Sequence, residues 1–284
     1  MSNLTHSLKR KVQLVLRDVK NNASRVSYKK AVLNNRQQHI LEELQQNGFV
    51  MIPATDAFTA AQWQKYCDSV DGFVNDAATQ ESRNQYYASG KTEGKVTDAS
   101  FNKTFILRGA DLNKNFLQTT PLTELKQNDF LNPIINNYYG QLSKVIYVDY
   151  WYTLKTHNPN QDIYSQAWHC DPEGDKIVKV FVYFSDVDER SGALQYIKGT
   201  QHGGKNSDAL KSIKRNTSYY PELSFVDANF PKEDIVQAKA PRGTIMICDT
   251  RGLHRGGKCL DNERVLGVLE YLDTGSYAHE VGSK

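Results

Sequence analysis

Residues 144–155 read KVIYVDYWYTLK, and five further runs of the same character follow: DKIVKVFVYFSDV (175–187), ALQYI (193–197), IVQAKA (235–240), GTIMICD (243–249) and RVLGVLEYL (264–272). Each is short and rich in Val, Ile, Tyr and Phe. The segments NPNQD (158–162), DERSG (188–192), KGTQHGG (198–204), PRG (241–243) and CLDNE (259–263) separate them. β-Branched and aromatic side chains suit a pleated, half-buried backbone, whereas Gly, Pro, Asn and Asp supply turns. Many short strands broken in this way predict a mainly β core with added helices, of the antiparallel double-sheet kind known as a jelly roll or double-stranded β-helix.

Upstream of these runs the pattern is helical. Leu8, Val12, Val15 and Val19 recur at helical spacing, with Leu16 widening the stripe and basic residues on the other faces. A second helix is predicted over 35–46, where Ile40, Leu41 and Leu44 form the apolar face and Asn47-Gly48 signals the end. FVMIP (49–53) reads as a short buried strand, 60–70 as a helix capped by Thr59, and 121–140 as helical. The polar stretch DAATQESRNQYYASGKTEGKVTDAS (76–100) reads as a long loop. The chain is thus expected to divide into a basic helical extension (1–46) and a single jelly-roll domain (47–276).

Composition narrows the function classes. The net charge of +3 hides a division: residues 1–36 carry nine Lys or Arg against one acid, a charge of +8, and the rest of the chain carries −5. The bland reading of this arm is a helix packing its apolar stripe on the body. The alternative is an arm that meets an anionic partner. No run approaches the length of a transmembrane helix, and the first residues lack the apolar core of a secretory signal. Cys67, Cys170, Cys248 and Cys259 form no CxxC and read as buried or incidental thiols. A cytoplasmic location is therefore expected.

The chemistry-bearing segment is SQAWHCDP (165–172), which places His169 and Asp171 two apart between strands. Alone, such a pair reads as a plain turn. The chain supplies more: His254 closes the apolar strand and turn GTIMICDTRGLH (243–254), and ten residues later Arg264 opens another strand. Two histidines and one carboxylate on one face of Fe(II) leave coordination positions open for the keto and carboxylate oxygens of a 2-oxo acid and for dioxygen. An arginine can then hold a second carboxylate at the far end of that acid in a two-pronged contact.

At these residues the chain resembles the phytanoyl-CoA dioxygenase-like family of Fe(II)/2-oxoglutarate-dependent oxygenases, from about Gly48 to about Leu272. The similarity is densest in 165–202 and in GTIMICDTRGLHRGG with the following Glu263-Arg264. The resemblance implies that His169, Asp171 and His254 are the iron ligands and catalytic centre. It implies that Arg264 binds the distal carboxylate of 2-oxoglutarate, that Phe181 packs against this cosubstrate, and that His202 is a turn histidine outside the ligand set. Many relatives carry Ser or Thr two positions after the distal histidine; here Gly256 stands there. A replacement contact falls to Tyr152, Thr153 or Tyr183. Lys179, on the same strand face as Phe181 and Tyr183, either reaches outward or points to an anionic ligand. The expectation is an enzyme that uses Fe(II), 2-oxoglutarate and dioxygen to hydroxylate a small molecule. Desaturation, cyclisation or epimerisation with the same cofactors, and a non-catalytic jelly-roll binding protein, are the alternatives.

Overall fold

The computed structural model describes residues 2–90, 104–212 and 219–276. The helical front comprises α1 (Ser2–Ser27) and α2 (Asn35–Asn47), then strand β1 (Phe49–Pro53), then α3 (Ala60–Asn75) and α4 (Ala77–Ser89). Strand β2 (Ile106–Arg108), the short α5 (Gly109–Leu112) and α6 (Phe116–Thr119), and α7 (Leu131–Tyr139) lead into the β-rich half. That half contains β3 (Ser143–Thr153), β4 (Val178–Tyr183), β5 (Gln195–Ile197), α8 (Leu223–Asn229), β6 (Ile235–Gln237), β7 (Thr244–Asp249), β8 (His254–Arg255) and β9 (Arg264–Asp273).

The strands form two antiparallel sheets, one of six in the order β1-β7-β4-β9-β3-β2 and one of three in the order β6-β5-β8. Period-two alternation assigns the faces of the large sheet. Val178, Val180 and Val182 of β4, with Leu269 and Tyr271 of β9, pack on one side with Ile40, Leu41 and Leu44 of α2, Tyr66 and Val70 of α3, and Ile134 and Ile135 of α7. Phe181 and Tyr183 of β4, with Leu266 and Val268 of β9, point the other way and meet Tyr196 and Val236 of the small sheet. One face of the large sheet is therefore sealed by helices, and the other looks into the space between the sheets, where a site can form.

Helix ends follow local chemistry. Thr59 accepts a hydrogen bond from the Gln62 amide (3.2 Å) while Gln62 accepts one from the Thr59 amide (2.9 Å), a reciprocal cap that starts α3. Gly48, in the left-handed region, ends α2 as the Asn47-Gly48 pair predicts. Burying Ile40, Leu41 and Leu44 contributes about 1.5–3 kcal/mol each.

Two expectations change. The stretch 76–100 is not one long loop. Helix α3 runs on to Asn75, and α4 follows because the Asp76 side chain accepts from the amides of Ala78 (2.9 Å) and Thr79 (3.4 Å). Of that expected loop, 91–100 lies outside the described residues. Nor does α1 pack the described part of its apolar stripe, residues 12–19, on the body. Val12 (51%), Val15 (61%), Leu16 (47%) and Val19 (60%) are exposed, and the face that docks is the polar one. Arg17 is 3% exposed and pairs with Asp273 at 2.5 Å; Asn21, equally buried, accepts from the Gly275 amide at 2.8 Å. The landing surface is acidic and so close that a Cβ on Gly275 would lie 2.5 Å from the Arg17 carbonyl. An apolar ridge has no place there.

Burial pushes the Asp273 carboxyl up, but the Arg17 guanidinium outweighs it and holds the group below its ordinary value. A lowered folded value means that this stabilisation is complete above the unfolded pKa and is lost as pH falls through the folded one. The docked helix is expected to release only in acid below about pH 4. Asp273→Asn should release it near neutrality, because breaking a buried pair costs about 3–5 kcal/mol. Tryptic cleavage within 9–25, timed in both proteins, measures the effect; equal protection would show that the pair does not hold the helix.

Candidate metal centre

Two loops carry the sequence motif, and backbone pairing fixes them together. The His169 amide donates to the His254 carbonyl (2.8 Å), and the His254 amide donates back to the His169 carbonyl (3.0 Å). Two residues on, the Asp171 amide donates to the Thr250 carbonyl (3.0 Å). The turn between β7 and β8 is organised by Asp249, which is fully buried. Its carboxylate accepts from the Tyr138 hydroxyl (2.6 Å) and from the amides of Ile177 (3.0 Å) and Arg251 (3.1 Å). Burial raises the Asp249 carboxyl despite these donors. Gly252 completes the turn: a Cβ there would sit 2.0 Å from the Tyr196 hydroxyl, so no larger residue fits without displacement.

The result is one cluster. Ligating atoms of His169, Asp171 and His254 all lie within 4.8 Å of one another, and all three residues are buried. The imidazole orientation is legible from the backbone. His169 Nδ1 lies 2.8 Å from the Ala167 carbonyl, and His254 Nδ1 lies 3.0 Å from the Gly252 carbonyl. A carbonyl oxygen only accepts, so each Nδ1 carries a hydrogen, and Nε2 is the ring nitrogen that a metal would take. Those two Nε2 atoms approach the same carboxylate, at 3.7 Å from Asp171 Oδ1 for His169 and 3.9 Å from Oδ2 for His254. Two imidazoles oriented by second hydrogen bonds, and one carboxylate, form a donor set that suits a divalent first-row metal.

A buried charge network stands behind it. Lys179 Nζ lies 2.7 Å from Asp171 Oδ2 and 3.5 Å from Glu270 Oε2, with the half-buried Glu173 nearby. Burial alone would raise the Asp171 carboxyl, but Lys179 and the two histidines hold it far below its ordinary value. Burial would lower Lys179, and the carboxylates of Asp171, Glu270 and Glu173 hold it well above. Glu173 is pushed up to about 8 by burial and by repulsion from Asp171. Lys179 thus faces inward, where the sequence left its direction open. Its partner Glu270 was not singled out from the sequence; the signal was the register that sets Lys179 opposite Glu270 on β9.

Phe181, Tyr183, Thr153 and Arg264 fall on the same inner face. Phe181 is buried between the sheets, its ring edge-on to Trp151 at 6.0 Å. The Tyr183 hydroxyl donates to the Ala238 carbonyl at 3.0 Å. Arg264 is buried at the start of β9, with one guanidinium nitrogen donating to the Gly192 carbonyl. Directly opposite it on β3 is Thr153. Both Arg264 Nε and Thr153 Oγ1 are buried without a hydrogen-bond partner within the protein. Tyr152 alternates to the far face, and its hydroxyl donates to Glu263. His202 lies outside the cluster, in the wall of a cavity of about 460 Å³ that Arg251 and Lys211 also line. Arg251 links that cavity to the cluster through its contact with the Asp171 carbonyl at 3.2 Å.

The sequence model of the phytanoyl-CoA dioxygenase (PhyH) family matches residues 44–260, which include all three residues of the cluster. The chain belongs to this family. No curated protein matches it in sequence. Among solved structures, it is similar to the epimerase SnoN in complex with Fe3+, alpha ketoglutarate and nogalamycin RO, with 14% identity, 84% of each chain covered and a TM-score of 0.51. It is also similar to the non-heme alpha ketoglutarate dependent carbocyclase SnoK from nogalamycin biosynthesis, with 15% identity, coverage of 85% of this chain and 84% of that one, and a TM-score of 0.51. At such identities the likeness speaks for the fold.

The cluster predicts binding of one divalent first-row ion per chain, lost in His254→Ala and kept in His202→Ala. Metal analysis after gel filtration checks this; an unchanged metal content in His254→Ala would exclude the cluster as the site.

Proposed function

We propose that this chain is an Fe(II)/2-oxoglutarate-dependent dioxygenase that hydroxylates a small molecule. The observation that carries the reading is the buried cluster of two imidazoles, each oriented by a backbone carbonyl, and one carboxylate within 4.8 Å. In this reading His169, Asp171 and His254 hold the iron, and residues 47–276 form one catalytic domain of jelly-roll type preceded by the 1–46 extension. Iron with 2-oxoglutarate and dioxygen supplies oxidative decarboxylation to succinate and carbon dioxide coupled to oxidation of a substrate C–H bond. The fold likeness to SnoN, a structure that contains Fe3+ and alpha ketoglutarate, supports the assignment of cofactors.

The chain's own residues supply position. Arg264 and Thr153, adjacent across β3 and β9, present two buried polar atoms that lack partners within the protein. An orphaned polar group in a buried site costs about 1–3 kcal/mol, and a carboxylate placed between them would remove that penalty. We assign them to the distal carboxylate of 2-oxoglutarate. Thr153 then takes the part of the hydroxyl that Gly256 lacks. Phe181 and Tyr183 wall the same space, and the Tyr183 hydroxyl, already given to Ala238, serves to fix that wall.

The test is succinate formation from 2-oxoglutarate by purified, iron-loaded protein in a screen of candidate substrates. Turnover is expected in the wild type and not in Asp171→Ala, with a product heavier by one oxygen. A product of unchanged mass or one lighter by two hydrogens would move the outcome to epimerisation, cyclisation or desaturation. No succinate under any condition would make the chain a binding protein. Arg264→Ala is expected to raise the 2-oxoglutarate requirement about ten- to a hundredfold with iron content intact, as for a lost charge-assisted hydrogen bond. Thr153→Val should raise it by less, about two- to tenfold. Equal requirements in Arg264→Ala and wild type would place the anchor elsewhere.

A further inference from the structure

Helix α1 turns the usual logic of a surface helix around. Its 26 residues extend about 39 Å at 1.5 Å per residue. Arg17 and Asn21 face the body, whereas Val12, Val15, Leu16 and Val19 lie roughly half a turn away, all close to or above half exposure. The stripe continues past them: Val26 is 90% exposed, and Val32, beyond the helix, is 98% exposed. The contacts that hold the helix are polar and set on the opposite side, so docking fixes the stripe outward.

Charge borders the stripe. Lys11 and Lys20 are exposed on its two edges, and Lys29 and Lys30 are exposed just after the helix. Residues 1–36 carry +8 in all. The body adds to the same field, since Lys144 lies near enough to Lys20 for the two ammonium groups to repel. Among the described residues no helix is long and apolar enough to cross a membrane. A helix with an apolar centre, cationic borders and low overall hydrophobicity has the pattern of one that lies in a membrane interface.

We propose that α1 docks this protein on an anionic lipid surface, with the Val12, Val15, Leu16 and Val19 side chains entering the boundary between headgroups and acyl chains and the flanking lysines meeting lipid phosphates and carboxylates. Nucleic acid would require cations at the centre of the exposed face, where valines stand. A second copy of the chain, paired stripe to stripe, would set one +8 arm against another.

The full-length protein is sedimented with vesicles of phosphatidylcholine alone or mixed with phosphatidylserine, at low and high salt. Binding is expected to the mixed vesicles only, weakened by salt. The double variant Val15→Glu/Val19→Glu should lower the bound fraction at least about tenfold. Its circular dichroism and melting should match the wild type, because both side chains are exposed. Lys11→Gln/Lys20→Gln should weaken binding and flatten its salt dependence. Wild-type protein left in the supernatant with mixed vesicles would overturn the proposal, as would undiminished binding by the Glu variant. So would a dimer seen by light scattering that the Glu variant returns to monomer, or an affinity for duplex DNA that survives in the Glu variant and exceeds that for vesicles.

Discussion

The reciprocal pair of backbone hydrogen bonds between His169 and His254 is the constraint on which the site depends. The two residues are 85 positions apart in sequence, and neither loop carries more than one or two of the required side chains. Once the pair forms, the imidazoles sit 4.2 Å apart between centroids, and Asp171 follows two residues later on the same side. Period two does the rest: His169 and Asp171 share a direction that Cys170 does not, and Cys170 turns instead into an apolar cluster with Trp168 and Leu253. Asp249 and Gly252 hold the partner turn. A buried carboxylate with three donors and a glycine pressed on a tyrosine hydroxyl leave that turn little freedom.

Electrostatics explains why such a cluster tolerates burial. Asp171, Glu173 and Glu270 surround one ammonium, that of Lys179. Three carboxylates and one lysine cannot all be ionised in a low-dielectric interior without excess negative charge, and Glu173 bears the strain through a pKa near 8. A divalent cation at the two imidazoles would balance that charge. The same network restrains Asp171: with one oxygen fixed on Lys179, its carboxylate is oriented before any ligand arrives.

Much of this was legible in the sequence where local chemistry and function coincide. The apolar runs gave strands, the Thr59 and Asn47-Gly48 signals gave helix ends, and the spacing of His169, Asp171, His254 and Arg264 pointed to one chemistry. What escaped depends on tertiary context. Helix α4 is mostly polar and buries only Thr79 and Tyr86, so no apolar period announces it; its start rests on a single Asp76 side chain. The direction of Lys179 requires the β4–β9 register, which no local pattern contains. For α1 the apolar period marks a helix but not a packing face, because the body offers it Asp273 and a glycine rather than an apolar groove.

Strand β9 shows how one alternation serves both stability and chemistry. Its outward residues Leu269 and Tyr271 lock the large sheet to the helices, with the Tyr271 hydroxyl reaching Asn132 at 3.1 Å. Between Arg264 and Glu270 its inward residues are Leu266 and Val268, so two apolar side chains stand between two charged ones. Glu270 joins the network behind the cluster, and Arg264 faces Thr153 at the other end. A shift of one residue in this strand would place Val265 and Leu269 inward and turn both charges into the helix-covered core, where neither has a partner. The pairing that keeps the fold intact therefore also keeps the arginine and the metal-side carboxylates on one wall. The site's geometry is inherited from strand register, not from loop conformation alone.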